Sequence, residues 1–377
     1  MVASQTIDHS RPEIVILGTV PPPVTGMTLV TKQVVRALQQ VANVNFFNWS
    51  TGISKRGLRF RATRVLRIVR SLFWLVRQGP VFKGRIYVVA NSKTGLYLTA
   101  VIAWLARRLG YTVYLHHHTY YYIDEYDWRM AWIDRTLGQH GVHVVHTPQM
   151  ADDFRAVYPT QCPFAFIYPS VVASPLGAAR ESVATPIRLG HLSNLQLGKG
   201  LDLVLDTFHV LRKSGQQARL VLAGTFLNQE TRRVVEEAIE THSGLIEYIG
   251  PVYDADKTRF FARIDCFVFP TRSESWGIVL HEAMAAGVPV ITYDRGCTRT
   301  VVGNKAGLVI DRDADFAMLA ARQVEHWAHN PHEYRAASQA AIEQADRLQR
   351  EGQRTLDEFV ALVLSPTPIS NGLNRPA

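Results

Sequence analysis

One segment of the 377-residue chain, between Asp265 and Gly303, constrains the fold more than any other. An apolar run of strand length, Cys266–Phe269, ends at Pro270, and the apolar spacing becomes helical between Gly277 and Gly287. A second strand begins at Pro289. Strand, loop, helix and strand form a βαβ unit, which belongs to a parallel sheet whose ligands bind at the carboxyl ends of the strands. The segment therefore predicts an α/β protein with a binding site at its loops.

Two glutamates flank this predicted ligand site. Glu274 lies in the loop, and Glu282, with seven residues between the two, lies on the second turn of the helix. The backbone N–H groups at Trp276, Gly277 and Ile278 begin that helix and favour an anion. Carboxylates accept hydrogen bonds from sugar hydroxyls, so the pattern indicates a ligand that carries hydroxyl groups and a phosphate. Two ordinary surface glutamates at a turn are the alternative interpretation.

The sequence SESWGIVLHEAMAAGVPVI resembles the E-x7-E segment of the family 4 retaining glycosyltransferases. The similarity includes both glutamates, the aromatic–glycine pair and the small-residue run EAMAAG; it is strong over residues 187–303 and weaker over 1–172. It implies a GT-B fold, in which two Rossmann-like doubly wound α/β domains face a central cleft. It also implies a retaining hexosyltransferase that moves a sugar from a UDP- or GDP-linked donor to an acceptor hydroxyl, as in exopolysaccharide assembly.

The length of the chain suits two domains. We expect an acceptor-binding domain over residues 1–172, a linker over 173–186 and a nucleotide-sugar-binding domain over 187–350. A helix at about 351–364 is expected to pack back on the first domain, and residues 1–12 and 365–377 are expected to be loose ends.

Composition indicates a cytoplasmic protein. The three cysteines are scattered and show no metal spacing, which suits a reducing compartment, and neither a signal peptide nor a membrane-spanning run is evident.

The net charge of +9 is concentrated in the first half, because no Asp or Glu occurs between Glu13 and Asp124. Residues 59–78 predict an amphipathic helix whose apolar side carries Val65, Val69, Leu72, Phe73 and Val76. Five arginines lie mostly on its other side: Arg59, Arg64, Arg67, Arg70 and Arg77. A helix face that is basic throughout favours an anionic membrane surface, so we expect a peripheral location on the inner face of the cell membrane. Mere solubility is the alternative, and nucleic acid is the least favoured partner because no nucleic-acid-binding signature occurs.

Two loops that precede helices predict phosphate contacts. Lys199 supplies a positive charge, and Gly200 lets the backbone approach a phosphate closely. The resemblance supports a diphosphate at this position. The family's second phosphate-binding arginine is replaced here by Ser193, beside Asn194, and Arg188 or Arg272 could supply the missing charge. The resemblance also places Gly26 and Met27, in a predicted loop after the first strand, near the diphosphate or the acceptor; a plain turn is the alternative.

The sequence HHHTYYY follows the strand that begins at Thr112. We reject a metal site made of three successive histidines, because successive side chains of a strand alternate between faces. The resemblance selects His118, with His117 as the alternate, as the histidine near the donor sugar. A hydrogen-bonded structural histidine is the other interpretation.

The resemblance assigns the remaining roles. Glu274 would bind hydroxyls of the donor sugar and Glu282 those of the ribose, while Lys199 and the first amides of the helix would stabilise the departing diphosphate. The strand ends at Gly224, Ile249 and Val252 would border the nucleotide. No cofactor or metal is expected. The alternatives that remain are a GT-B nucleotide-sugar epimerase and a non-catalytic basic binding module; a glycosidase is disfavoured because the two carboxyl groups are not placed across a bond.

Overall fold

The computed structural model describes residues 11–51, 58–78, 84–172 and 174–365. The expected loose ends, residues 1–12 and 365–377, lie almost wholly outside these ranges. The chain divides into two compact units: unit 1 comprises Met1–Val172 and Glu351–Ala377, and unit 2 comprises Ala173–Arg350. Among the described residues, no helix is both long enough and apolar enough to cross a bilayer.

Unit 1 is built on a sheet of six parallel strands in the order β2-β1-β3-β4-β5-β6. The strands are β1 Glu13–Gly18, β2 Asn43–Asn48, β3 Arg85–Val89, β4 Thr112–His116, β5 Gly141–Val145 and β6 Phe164–Phe166. The helices that connect them are α1 Gly26–Val41, α2 Leu58–Gln78, α3 Leu96–Arg108, α4 Tyr121–Asp124, α5 Trp128–Leu137 and α6 Pro148–Val157. Strands such as β1 and β5 are buried along nearly their whole length because helices cover both faces of a parallel sheet.

Unit 2 repeats this architecture with the strand order β12-β11-β10-β7-β8-β9. Its strands are β7 Ile187–Leu192, β8 Ala218–Ala223, β9 Ile246–Tyr248, β10 Cys266–Phe269, β11 Val290–Tyr293 and β12 Gly307–Ile310. Its helices are α7 Leu201–Lys213, α8 Gln229–Thr241, α9 Ala255–Ala262, α10 Ile278–Ala285, α11 Thr298–Val302, α12 Phe316–His329 and α13 Pro331–Leu364. Every strand pair in both sheets is parallel, so the predicted pair of Rossmann-like α/β domains is confirmed.

The last helix changes unit along its length. The part of α13 that follows Glu351 belongs to unit 1. There Phe359 packs edge-on against Tyr87 of β3 and Tyr114 of β4, and the Thr355 hydroxyl accepts a hydrogen bond from the Tyr168 N–H. The end of this helix therefore forms part of the core of unit 1.

Two predicted boundaries were wrong. Gly26 is the first residue of α1 and not part of the preceding loop, because Thr25 caps the helix and exchanges hydrogen bonds with Thr28. The strand whose end was expected at Ile249 and Val252 is β9, and it already ends at Tyr248, since Gly250 has a positive φ of 79° and Pro251 follows it. Ile249 and Val252 consequently lie after the strand.

Candidate active site

The strand order of unit 2 locates a crevice. The first strand of the unit, β7, lies beside the fourth, β10, and the chain runs outward from this pair in both directions. In doubly wound sheets the loops after two such strands diverge and leave a ligand site between their carboxyl ends. The loops after β7 and β10 carry Lys199 and Glu274 respectively.

The loop after β7 is held close to the loop after β10. A short 3-10 turn, Leu197–Lys199, leads into Gly200, whose φ of +74° is left-handed, and α7 begins at the next residue. A Cβ atom at Gly200 would lie 2.1 Å from the Pro270 carbonyl oxygen. In addition, the Arg272 N–H donates to the Gly198 carbonyl at 3.0 Å. Only glycine permits this close approach of the two loops.

Lys199 and Glu274 meet at this point. The Lys199 Nζ donates to Glu274 Oε2 at 2.9 Å and to the Ser273 carbonyl at 3.3 Å. The second carboxylate oxygen accepts the Ser275 N–H at 3.0 Å. Both side chains are only partly exposed, so the pair is screened less than a surface ion pair. A cation and a carboxylate thus share one position at the crevice.

The second glutamate has a partner that the sequence did not indicate. Both oxygens of Glu282 accept hydrogen bonds from the Lys257 Nζ, each at 2.8 Å. Lys257 lies on α9, and no spacing or motif in the sequence connects it with α10. Gly277, with a φ of +80°, precedes α10. The first two N–H groups of α10, at Ile278 and Val279, have no acceptor within the helix, whereas the Leu280 N–H donates to the Gly277 carbonyl at 2.9 Å. Trp276 is buried.

Of the two arginines proposed to replace the missing phosphate-binding residue, Arg188 is excluded. It lies near the start of β7, at the opposite end from the crevice, and its guanidinium binds Asp265 at 2.6 Å. Arg272 does lie at the crevice: it binds Asp202 at 2.7 and 2.8 Å beside the Leu197–Lys199 turn. The two arginines differ because Arg188 is the second residue of β7, whereas Arg272 lies in the loop after β10.

Ser193 and Gly224 pack against each other, whereas Asn194 is exposed. The Ser193 carbonyl would be 1.7 Å from a Cβ at Gly224, whose φ is +126°. The Ser193 hydroxyl is 2.8 Å from Nε2 of buried His191. Burial lowers the pKa of His191 to about 4, and the nearby Lys199 ammonium adds to this effect, so the imidazole is neutral at pH 7.

The strand ends around Gly224 form one connected wall. The Gly224 N–H donates to the Gly250 carbonyl at 2.8 Å, and the Tyr248 hydroxyl donates to the Gly224 carbonyl at 2.7 Å. Ile249 is half-buried in this wall, and Val252 is buried beyond it. These residues offer a mainly apolar surface at the carboxyl ends of β8 and β9.

The histidines that follow β4 in unit 1 have different environments. His117 is fully buried, with Nδ1 2.8 Å from the Tyr122 hydroxyl and Nε2 2.8 Å from His143. His117 is thus a hydrogen-bonded structural histidine, whereas His118 is half-buried. Burial, reinforced by His146, holds the pKa of His118 well below its usual value. Met27, also in unit 1, lies in the first turn of α1.

The histidines also form a cluster that the sequence did not indicate. His116 and His118 lie on one face because they are two residues apart, and their rings are 3.9 Å apart. With His146, just after β5, they bring three imidazole nitrogens within 4.8 Å of one another, a group that could hold a metal ion. His117 does not join this group, and a histidine that follows the neighbouring strand β5 completes it.

Comparison with known proteins identifies the class of unit 2. Residues 179–344, less than half of the chain, match the family described as "Glycosyl transferases group 1". The matched segment lies within unit 2 and contains Lys199, Glu274 and Glu282.

Particular relatives share this segment. The capsular polysaccharide biosynthesis glycosyltransferase CapM of Staphylococcus aureus is 29% identical over 136 residues, which are 35% of this chain and 34% of that protein. Mannosylfructose-phosphate synthase of Agrobacterium fabrum is 34% identical over 131 residues, 32% of this chain and 28% of that protein. The chain thus matches about a third of the length of these relatives.

Similarity of fold extends over nearly the whole chain. The crystal structure of Anabaena HepE in complex with UDP has a TM-score of 0.69 over 93% of this chain and 100% of that chain, at 14% identity. At this identity the similarity concerns the fold alone. The similarity supports the predicted architecture of two Rossmann-like α/β domains.

Proposed function

We propose that this protein is a retaining glycosyltransferase of family 4 that moves a hexosyl group from a UDP- or GDP-linked sugar to an acceptor hydroxyl. The observation that carries the proposal is the contact between Lys199 and Glu274 at the crevice of a glycosyltransferase group 1 domain. The contact supports the proposal because one activated sugar could engage a cation and a carboxylate that lie this close together.

The donor would bind in an extended position along unit 2. The Lys199 ammonium and the first amides of α10 would hold the diphosphate, and Glu274 would bind hydroxyls of the sugar. Glu282, oriented by Lys257, would bind the ribose hydroxyls. Arg272 stands beside the Leu197–Lys199 turn and could approach the phosphates if it released Asp202.

In this proposal the bond between the anomeric carbon and the diphosphate oxygen breaks, and the acceptor oxygen attacks the same face. The leaving phosphate takes the acceptor proton, so neither an enzymic nucleophile nor a metal ion is required. Lys199 stabilises the charge that develops on the leaving oxygen, and preorganised cations of this kind reduce the barrier selectively. The role of His118 in orienting the sugar stays a prediction.

The acceptor class we propose is a lipid-linked glycan used in polysaccharide assembly. Two observations support it: one relative is named for capsular polysaccharide biosynthesis, and the first half of this chain is basic and lacks carboxylates from residue 14 to residue 123. A basic surface suits an acceptor that carries phosphate.

The decisive experiment measures donor binding and use. Thermal shifts with a panel of UDP- and GDP-sugars identify the donor, because binding stabilises the folded state. Transfer from that donor is then compared between the wild type, Lys199→Met and the matched variant Lys213→Met, which removes an exposed lysine at the far end of α7. We expect Lys199→Met to lower kcat/KM about 10²- to 10³-fold, as for loss of an electrostatic stabiliser. NMR of the first product reports retention.

Three results would contradict the proposal. Conversion of donor into an epimer without acceptor would indicate an epimerase. A mobility shift of nucleic acid at low salt without any nucleotide-sugar binding would indicate a basic binding module. Equal activity of the two lysine variants would show that sugar transfer does not depend on Lys199.

A further inference from the structure

The layer of helices α2, α3 and α5 lies on one face of the unit 1 sheet. Each of these helices connects two strands, and all three connections run in the same direction across the sheet, from β2 towards β5. Right-handed crossovers that run in one direction place their helices on the same face of the sheet. α3 lies in the middle, since it contacts both α2 and α5. The outer surface of this layer is therefore continuous.

The apolar side of α2 forms the first part of this outer surface. Ser71 and Leu75 are completely buried on the inner side, where Ser71 accepts the Trp49 indole N–H at 3.3 Å. The outer side exposes an apolar stripe, in which Leu66 is 68% and Phe73 67% exposed. The other exposed members of the stripe are Val65, Val69 and Val76. A helical wheel identifies this stripe but does not show that it faces outward.

Aromatic side chains form the second part. Tyr97, Val101 and Trp104 of α3 are exposed beside Trp128 and Trp132 of α5. With Ala100 and Arg129 they line an open pocket of about 440 Å³ whose walls are almost wholly apolar. A sugar or nucleotide needs polar groups to satisfy its hydroxyls or phosphates, so this lining suits hydrocarbon.

Basic side chains surround both parts. Exposed cations on the same helices and at their ends are Arg59, Arg70, Arg77, Lys93 and Arg108. The stretch without carboxylates, residues 14–123, covers α2 and α3, whereas Asp124 and Glu125 are exposed just before α5. In a symmetric dimer the same patch would meet itself, which would bring like charges together. An anionic surface with an apolar interior complements both the charge and the exposed aromatics.

We propose that the outer face of α2, α3 and α5 docks on an anionic lipid bilayer, with Trp104, Trp128 and Trp132 at the interface. Indole rings suit the boundary between headgroups and acyl chains, and the pocket between them receives lipid hydrocarbon. Arginines around the patch bind headgroup phosphates. This proposal extends the sequence prediction for α2 alone, and it does not depend on the transferase activity.

Flotation of the full chain with vesicles tests the proposal, using phosphatidylcholine alone or mixed with phosphatidylglycerol. The wild type is expected to bind the mixed vesicles, with weaker binding at high salt. The double variant Trp104→Ala/Trp132→Ala is expected to lose at least about tenfold in partitioning, from burial of two large apolar groups. The matched double variant Met318→Ala/Leu319→Ala, which removes two similarly exposed apolar groups from α12 in unit 2, should bind as the wild type does.

The contribution of the arginine charges and the depth of tryptophan insertion are tested separately. Arg70→Gln should lower partitioning about fivefold, whereas Arg233→Gln on α8 should leave it unchanged. Brominated lipids should quench the tryptophan fluorescence of the wild type and quench it less in the double tryptophan variant.

Equal vesicle binding by the tryptophan variant and its control would overturn the proposal. So would a dimer that the tryptophan substitutions convert to monomer while vesicles are not bound. Transfer to a soluble acceptor without vesicles should survive in the double tryptophan variant. Loss of the membrane role can thus be distinguished from loss of the proposed activity.

Discussion

Substitution of Gly200 by alanine tests whether the corner beside Lys199 is built as the structure shows. Two contributions that lower the free energy of unfolding add at this position. The residue has a φ of +74°, and an L-residue with a Cβ atom loses about 1–2 kcal/mol there relative to glycine. The new Cβ would also lie 2.1 Å from the Pro270 carbonyl oxygen, so the loops after β7 and β10 must separate. Overpacking of this kind costs about 1–3 kcal/mol more.

The matched control is Gly244→Ala. Gly244 has nearly the same φ, +75°, but a Cβ there meets nothing within 4 Å, so the control carries only the backbone cost. For a unit of this size about 1 kcal/mol corresponds to about 2–4 °C in Tm. Thermal unfolding should therefore show a modest loss for Gly244→Ala and a clearly larger one for Gly200→Ala.

Donor kinetics complete this test. Because Gly200 adjoins Lys199, displacement of the loop should raise the KM for the nucleotide sugar in Gly200→Ala and leave it unchanged in Gly244→Ala. The reasoning is refuted if both variants lose the same Tm and keep the same KM, since the approach to Pro270 would then have no consequence.

Three further expectations follow from the same site. Lys257→Met should raise the KM for the donor about tenfold with little change in kcat, because it removes the group that orients Glu282; an unchanged KM would contradict this. Because burial lowers the pKa of His191 to about 4 from an unfolded value near 6.5, the unfolded chain binds a proton first as pH falls. Stability should thus decrease by up to about 3 kcal/mol between pH 6.5 and 4, and urea unfolding of His191→Gln should show a shallower pH dependence. Chelation of divalent ions with EDTA should leave the transfer rate unchanged, whereas a rate restored only by added metal would favour a role for the cluster of His116, His118 and His146.

The sequence alone determined the class of fold and the stretch that carries the candidate site. Apolar runs of strand length that alternate with helical spacing can only be buried in a covered parallel sheet, so the βαβ units followed from local pattern. Glycines such as Gly200 and Gly277 marked the corners, because their left-handed backbone is a local requirement. The two glutamates and Lys199 could be identified from the sequence because they lie close to these glycines.

Tertiary structure alone decided which side chains meet. Lys257 reaches Glu282 from another helix, and Arg188 and Arg272 are separated by the ends of the sheet at which they lie. The sequence also did not determine whether the apolar stripe on α2 faces the sheet or the outside. A helical wheel separates the two faces of a helix but does not tell which face packs inward. Contacts between residues far apart in the chain depend on how strands and helices are arranged in space, and no local pattern encodes that arrangement.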